Sequence, residues 1–343
     1  MARPSYESDL AEQPAALRRF AASTLPTELA DLDLGGCRRI IVTAMGSSHY
    51  AGLPTWRSLV AAGLPAWWVS ATELLDSPEL ITTDTLLVVT SQSGHSGEVV
   101  ALTSTVGRRA QYVIGITDVP DSPLGRASNV CVPLVSGPEA TVSSKSYLNS
   151  VAAHQRITAA LLGNPTATVD TAITEAARAL EDFRPAKPVT ETAESFLQGP
   201  EPRMGLIGKK DDSATVLMGA LILKEASKIA AEGYVGGEFR HGPLETAGPG
   251  LTAIILADPD ASGQNEPSLA ALADELIASG ADVLLIGGKA QPGARHVPLP
   301  SADPLTRTVI ASRLVQQLSV DIANGKGIIP GDFRFAQKIT TAL

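Results

Sequence analysis

Short apolar runs in this chain end repeatedly in small polar residues, and stretches with apolar positions at helical spacing follow them. In Leu86–Val100 (LLVVTSQSGHSGEVV), the β-branched run from Leu86 to Val89 predicts a strand. The loop Ser91-Gln92-Ser93-Gly94-His95-Ser96-Gly97 comes next, and Glu98 opens a helix with Val99, Val100, Leu102 and Val106. The same order occurs upstream. Strand Arg39–Thr43 leads into a loop holding Gly46, Ser47 and Ser48, then helical spacing runs through Tyr50, Leu53, Trp56, Leu59 and Val60. Further strands are predicted at Ala66–Val69, Tyr112–Thr117 and Asn129–Leu134, with helices at Ala71–Leu75 and from about Leu148 to Leu162.

Residues 8–33 read as a helical lead-in with Leu10, Ala15, Leu17, Phe20 and Ala21 on one face. A helix over Val169–Phe183 runs into Arg184-Pro185-Ala186-Lys187-Pro188, a candidate linker. Beyond it the scheme repeats: strand Met204–Ile207, helix Asp212–Ala231, strands Thr252–Leu256 and Ala281–Ile286, a short strand near His296–Leu299, and helix Pro304–Ala323. Strands alternating with helices predict an α/β fold built on doubly wound parallel sheets, here duplicated. The expected divisions are a lead-in over 1–33, domains over 34–185 and 186–325, and a tail over 326–343.

Ligands of such sheets sit beyond the carboxyl ends of the strands, where both hydroxyl loops fall. A helix N-terminus there presents unpaired N–H groups and a favourable dipole to an anion. The Ser91–Gly97 loop has no lysine or arginine and no GxxxxGK[ST] spacing, which excludes a nucleoside-triphosphate loop. Neutral hydroxyls, one amide and backbone N–H groups suit a single phosphomonoester; an ordinary capping turn uses the same residues. Ser143 and Ser144 precede the next long helix and offer either a third contribution or a cap. In the second half, Ala257-Asp258-Pro259-Asp260-Ala261 stands where the serine loop would recur. Its two aspartates would repel phosphate, so one site per chain is expected.

Composition narrows the choice. The 343 residues suffice for two domains, and 44% apolar with 18% charged residues is globular. A net charge of −9 speaks against a nucleic-acid partner. No apolar run approaches the roughly 18 residues of a membrane span, and the N-terminus, with Glu7, Asp9 and Glu12, has no signal-peptide core. Two cysteines, Cys37 and Cys131, suit a reduced cytoplasmic protein. Five scattered histidines without metal-ligand spacing give no metal, and no cofactor is expected.

Three positions could carry chemistry. Glu225 interrupts an apolar helix (Leu217, Ala220, Leu221, Leu223, Ala226, Ile229), either as a solvated residue or as a desolvated base with a raised pKa. His241 sits in a glycine- and proline-flanked loop, EFRHGP. Gly331–Lys338 mixes aromatics and cations, as a frayed basic end also would.

Ser91-Gln92-Ser93-Gly94, Lys224-Glu225, the block EFRHGPLE at 238–245 and Lys338 together resemble the sugar-isomerase (SIS) domain family. The likeness is strongest to the isomerase half of glutamine:fructose-6-phosphate aminotransferase and runs from about residue 30 to the end. It implies two tandem SIS domains of flavodoxin-like three-layer architecture in a homodimer that binds a small phosphosugar. By that resemblance Gly46, Ser47, Ser48, Ser91, Gln92, Ser93 and Ser96 hold the phosphate and Ser144 touches the sugar. Glu225 carries a proton between C1 and C2, His241 opens the ring in the neighbouring subunit's site, and Lys338 forms a Schiff base with the ketose. No glutaminase domain precedes residue 30 and no cysteine follows Met1, so ammonia from glutamine is not expected without a separate partner chain. Ile222 replaces an active-site lysine of the synthase, Phe333 and Phe335 flank Arg334 where it has Pro-Arg-Asn, and the loop at 143–146 is shifted or one residue short. The expected activity is isomerisation and deamination of an amino-sugar 6-phosphate resembling glucosamine 6-phosphate. Alternatives are a deglycase for 6-phosphorylated fructose–amino-acid adducts, a non-catalytic phosphosugar sensor, or the isomerase subunit of a glutamine-dependent synthase.

Overall fold

The computed structural model describes residues 4–257, 265–300 and 303–341. Among these, ten strands form two five-stranded sheets, parallel at each pairing. The chain divides into two compact units. One joins Glu12–Ala177 to the segment beginning at Phe335, and the other joins Ser5–Ala11 to Arg178–Arg334.

In the first unit the elements run α1 (Tyr6–Ala22, shared with the second unit), β1 (Arg39–Ala44), α2 (Gly46–Ala51), α3 (Leu53–Ala61), β2 (Ala66–Trp68) and α4 (Ala71–Asp76). They continue with β3 (Thr85–Thr90), α5 (Gly97–Ser104), β4 (Tyr112–Thr117), α6 (Pro123–Ala127), β5 (Val130–Pro133), α7 (Lys145–Leu161) and α8 (Thr166–Glu181), whose last turn belongs to the second unit. The strand order β2-β1-β3-β4-β5 is that of flavodoxin, whose crevice opens between β1 and β3, where the connections turn in opposite directions. β3 is buried at every residue, as a central parallel strand covered on both faces must be. Ile41, Leu87, Val89 and Val113 meet Leu74, Val99, Leu102 and Leu124 in one core layer.

The second unit repeats the plan with α9 (Lys187–Gln198), β6 (Arg203–Gly208), α10 (Asp212–Ser227), β7 (Ala231–Val235), β8 (Leu251–Leu256), α11 (Pro267–Ala278), β9 (Asp282–Ile286), β10 (Arg295–Val297) and α12 (Pro304–Gly325). Its order β10-β9-β8-β6-β7, counted from its own first strand, is the same as in the first unit. The duplicated α/β architecture expected from the sequence is therefore present. Ile207, Ala253, Ile255, Val283 and Leu285 pack on Leu269, Leu272 and Leu276.

Several boundaries differ from expectation for local reasons. α1 ends at Ala22 rather than continuing to 33, because Pro26 disfavours helix at the residue before it; single 3-10 turns follow at Thr27–Leu29 and Leu34–Gly36. The helix expected through Tyr50 to Val60 is split at Gly52, with Pro54 in the first turn of α3. A Cβ on Gly52 would stand 2.6 Å from Val42 Cγ1, so the chain passes β1 at glycine distance. α10 stops at Ser227 because Lys228 takes the left-handed conformation (φ 55°, ψ 44°), and Ala231–Val235 pairs beside β6 as a strand. α9 begins inside the candidate linker, burying Val189, Ala193 and Phe196 on one stripe. Of the aspartate-bearing loop, residues 258–261 lie outside the described residues.

Beneath β3, His154 of α7 is buried with Nε2 2.9 Å from Thr90 Oγ1. Burial, helped by nearby His49, pushes its pKa from 6.5 down to about 3; burial pushes His49, stacked on Trp68, to about 4. The folded chain thus refuses protons that the unfolded chain accepts below pH 6.5. This stabilising difference is complete above pH 6.5 and is lost as the pH falls toward 3. For His154 the loss at pH 4.5 should be about 2–3 kcal/mol. Urea unfolding at pH 7 and 4.5 should show it, and His154→Gln should remove that share of the pH dependence.

Candidate functional site

The loop after β3 is built rigidly. Ser91 extends the strand by donating its N–H to Ile116 O (3.0 Å). The Gln92 carbonyl accepts from Asp118 N (3.0 Å) and Thr117 Oγ1 (3.1 Å), and the Gln92 amide donates to Asp118 Oδ2 (3.3 Å). Asp118, at the end of β4, thereby orients the one amide of the loop. Ser91 Oγ accepts from Gly94 N (3.2 Å) and Ser93 Oγ from His95 N (3.1 Å). Ser96 caps α5 by position, but its hydroxyl donates to Glu98 Oε2 (3.1 Å) and leaves the helix N–H groups uncapped by side chain. Gly94 has φ +64°, and a Cβ there would fall 1.9 Å from Ser122 Oγ, so this turn requires glycine. After β1, Gly46 (φ +56°) turns the chain into α2, whose first residues include the half-buried Ser47 and Ser48.

A third loop, after β5, ends at α7. Here Glu139, its side chain fully buried, accepts at Oε1 from Ser144 N (2.8 Å), Ser144 Oγ (3.0 Å) and Ser146 N (3.1 Å). At Oε2 it accepts from Ser146 Oγ (2.7 Å) and Lys338 Nζ (2.7 Å). Two residues past Lys338, the Thr340 carbonyl accepts from Gly97 N at the head of α5 (3.0 Å). Within one unit the structure thus brings Lys338 to Ser144 and to the helix that follows Ser91–Ser96. Burial alone would raise the Glu139 pKa; the Lys338 charge and the hydrogen bonds from Lys338 and Ser146 outweigh it and hold the carboxyl below the usual range.

Glu225 and His241 lie in the second unit. Glu225 is half-buried in the last turn of α10, on a helix whose Ile222 and Leu223 are fully buried. The helix end is ringed by cations. Lys228 Nζ donates to the Glu225 carbonyl and lies 5.5 Å from the Phe333 ring centroid. Lys326 Nζ donates to the carbonyls of Ser227 (3.0 Å) and Lys228 (2.9 Å), and Gly331 N donates to Ala226 O (3.2 Å). Burial, then the neighbouring Arg334, pushes the Lys228 ammonium down, against the opposing pull of Asp332 and Glu225; burial and Arg334 also lower Lys326. His241 follows the turn Glu238–Arg240, with its N–H on Glu238 O (3.0 Å) and its side chain exposed.

Residues 33–162 match the family described as SIS domain. This chain is a SIS-domain protein. It is 31% identical over 350 residues to the glutamine–fructose-6-phosphate aminotransferase [isomerizing] of Symbiobacterium thermophilum, across 93% of this chain and 56% of that one. The homology lies with the isomerase half of that enzyme, and the chain spans about half the length of the relatives it matches. Among solved structures it shares its fold with the C-terminal domain of glucosamine-fructose-6-phosphate aminotransferase from Francisella tularensis (TM-score 0.76, 22% identity, 94% of this chain and 97% of that one). It also shares it with a glucosamine-6-phosphate deaminase from Thermotoga maritima (TM-score 0.75, 17% identity, 97% and 98%).

Two residues of the SIS fold's carboxyl-end loops escaped the sequence reading. Glu139 stands in the Gly-Pro-Glu turn five residues before Ser144, and Asp118 directly follows β4. A carboxylate just ahead of a serine-rich helix start is the signal that would have found Glu139. The left-handed φ at Gly94 would alone cost an alanine about 1–2 kcal/mol. Gly94→Ala should therefore displace Ser122, loosen the loop and weaken inorganic phosphate binding about tenfold, as isothermal titration calorimetry would show. Unchanged affinity would separate this loop from anion binding.

Proposed function

We propose that this SIS-domain protein is a phosphosugar isomerase that deaminates an amino-sugar 6-phosphate of the glucosamine 6-phosphate type. The observation that carries this is the seating of Lys338 among the loops that hold Ser144 and follow Ser91–Ser96. A passive phosphosugar binder has no use for an amine delivered there. Homology to the isomerase half of the aminotransferase supports the reaction class, and a protein of the same fold is named a glucosamine-6-phosphate deaminase.

The chemistry assigns each group one task. Gly46, Ser47, Ser48, Ser91, Gln92, Ser93 and Ser96 hold the phosphate and fix the sugar's position. His241, exposed on its loop, opens the ring and is contributed to the partner's site in a homodimer. Glu225 takes the C2 proton of the open-chain aldose; the C–H electron pair forms the C1–C2 double bond, and return of the proton to C1 leaves an iminium at C2. Water adds there and ammonia departs, giving the ketose phosphate. Lys338 serves the carbonyl, as a proton donor or as the amine of a Schiff base.

A second reading is favoured by the cations around the end of α10. Lys228, Lys326 and Arg334 beside Glu225 suit a leaving amine that carries its own carboxylate, as in a fructose–amino-acid 6-phosphate.

Incubation with hexosamine 6-phosphates and fructosamine 6-phosphates distinguishes the two by the product released, ammonia or an amino acid. Glu225→Gln should lower kcat by about 10²–10⁴-fold with either substrate while leaving phosphosugar affinity within about threefold. Full activity in that variant would remove Glu225 from the mechanism.

A further inference from the structure

The C-terminal segment is held by little besides charge. From Arg334 to Thr341 each residue is exposed except Lys338. Phe335 is 99% exposed and Ile339 37%, so apolar burial does not anchor the segment. Among the described residues, its polar attachments in the first unit are the Lys338–Glu139 ion pair and the Thr340 carbonyl on Gly97 N. The latter is one backbone hydrogen bond at a helix end, which water could replace.

Glu139 has the opposite character. Its side chain is wholly buried and receives four neutral donors from the start of α7. The α7 N-terminus adds a favourable dipole. These suffice to keep the carboxylate ionised but leave its charge unmatched, and a buried charge without a counter-charge is costly. Lys145, next along the helix, places its ammonium on Glu12 (2.6 Å) and the Pro138 carbonyl (2.7 Å). Lys338 Nζ lies 2.7 Å from Glu139 Oε2.

We propose that Glu139 is the positioning residue that docks the C-terminal segment. Its buried charge seats Lys338 between the heads of α5 and α7, and the same carboxylate orients the Ser144 hydroxyl. One anion thereby sets the amine and the sugar-contacting serine in register. Lys338's task in turnover rests on the proposed function, whereas docking is a property of the ligand-free chain and is testable without substrate.

Hydrogen exchange of the ligand-free protein separates these. Glu139→Gln and Lys338→Met should each raise exchange at Gly97, whose N–H the Thr340 carbonyl accepts, by about tenfold or more, with β3 and β4 unchanged. Lys338→Met leaves the Glu139–Ser144–Ser146 bonds in place, so it reports docking even if Glu139→Gln disturbs α7. Unchanged exchange in both variants would overturn the proposal. In turnover, Glu139→Gln should lower kcat about 10²-fold with KM within about threefold, and should cost less than about threefold once Lys338 is already methionine. An equal loss in both backgrounds would make Glu139 merely structural and overturn its positioning role. Absence of turnover with every 6-phosphosugar would count against the isomerase reading, with exchange still deciding the docking.

Discussion

Parallel pairing governs both sheets. Each connection must recross a face of the sheet; in the first unit every strand is followed by a helix, and the unpaired N–H groups of those helix starts collect along one edge. In the first unit, Gly46–Ser48 follows β1, Ser91–Ser96 follows β3, Asp118 follows β4, and Glu139 with Ser144 precedes α7 after β5. Such an edge attracts anions without any lysine or arginine in its loops. One anion there belongs to the protein itself, and through it a cation from far along the chain is brought to the same edge.

Helix polarity explains the distribution of charge in each unit. At the start of α7 the positive end of the helix meets the Glu139 carboxylate. At the end of α10 the negative end meets Lys228 and Lys326, whose ammonium groups bond its last carbonyls. Both are favourable by the same dipole argument, though each interaction at a helix end is modest. What distinguishes the two is burial. The Glu139 side chain is buried and is matched within the protein, whereas the α10 cations are partly solvated.

The sheets were legible because buried parallel strands are written as unbroken apolar runs. Tyr112–Thr117 appears at the boundaries read from sequence, and β3 differs from its apolar run by one residue at each end. The helix ends were harder, since they depend on single residues acting against a continuing apolar pattern. Lys228 ends α10 by adopting a left-handed conformation that no glycine announces, and the apolar spacing across Ile229 hides it. Edge strand β7, with glutamate and glycine among its residues, has no apolar run to declare it. α9 was missed because Pro185, Pro188 and the charges beside them resemble a linker, although Val189, Ala193 and Phe196 form a buried stripe. In the candidate site, glycine and serine spacing exposed the β3 loop, whereas Glu139 was hidden. A carboxylate shows its importance only once four neutral donors and a distant lysine are seen to converge on it.

The central claim is that this chain moves a proton between adjacent carbons of a phosphorylated sugar. The most direct measurement is proton NMR of glucosamine 6-phosphate and fructose 6-phosphate incubated with the protein in heavy water. Proton transfer through Glu225 should replace the C2 hydrogen of the aldose, or a C1 hydrogen of the ketose, with deuterium at a rate proportional to protein concentration. If both sugars, at saturating concentration, keep every carbon-bound hydrogen, the proton shuttle assigned to Glu225 is contradicted.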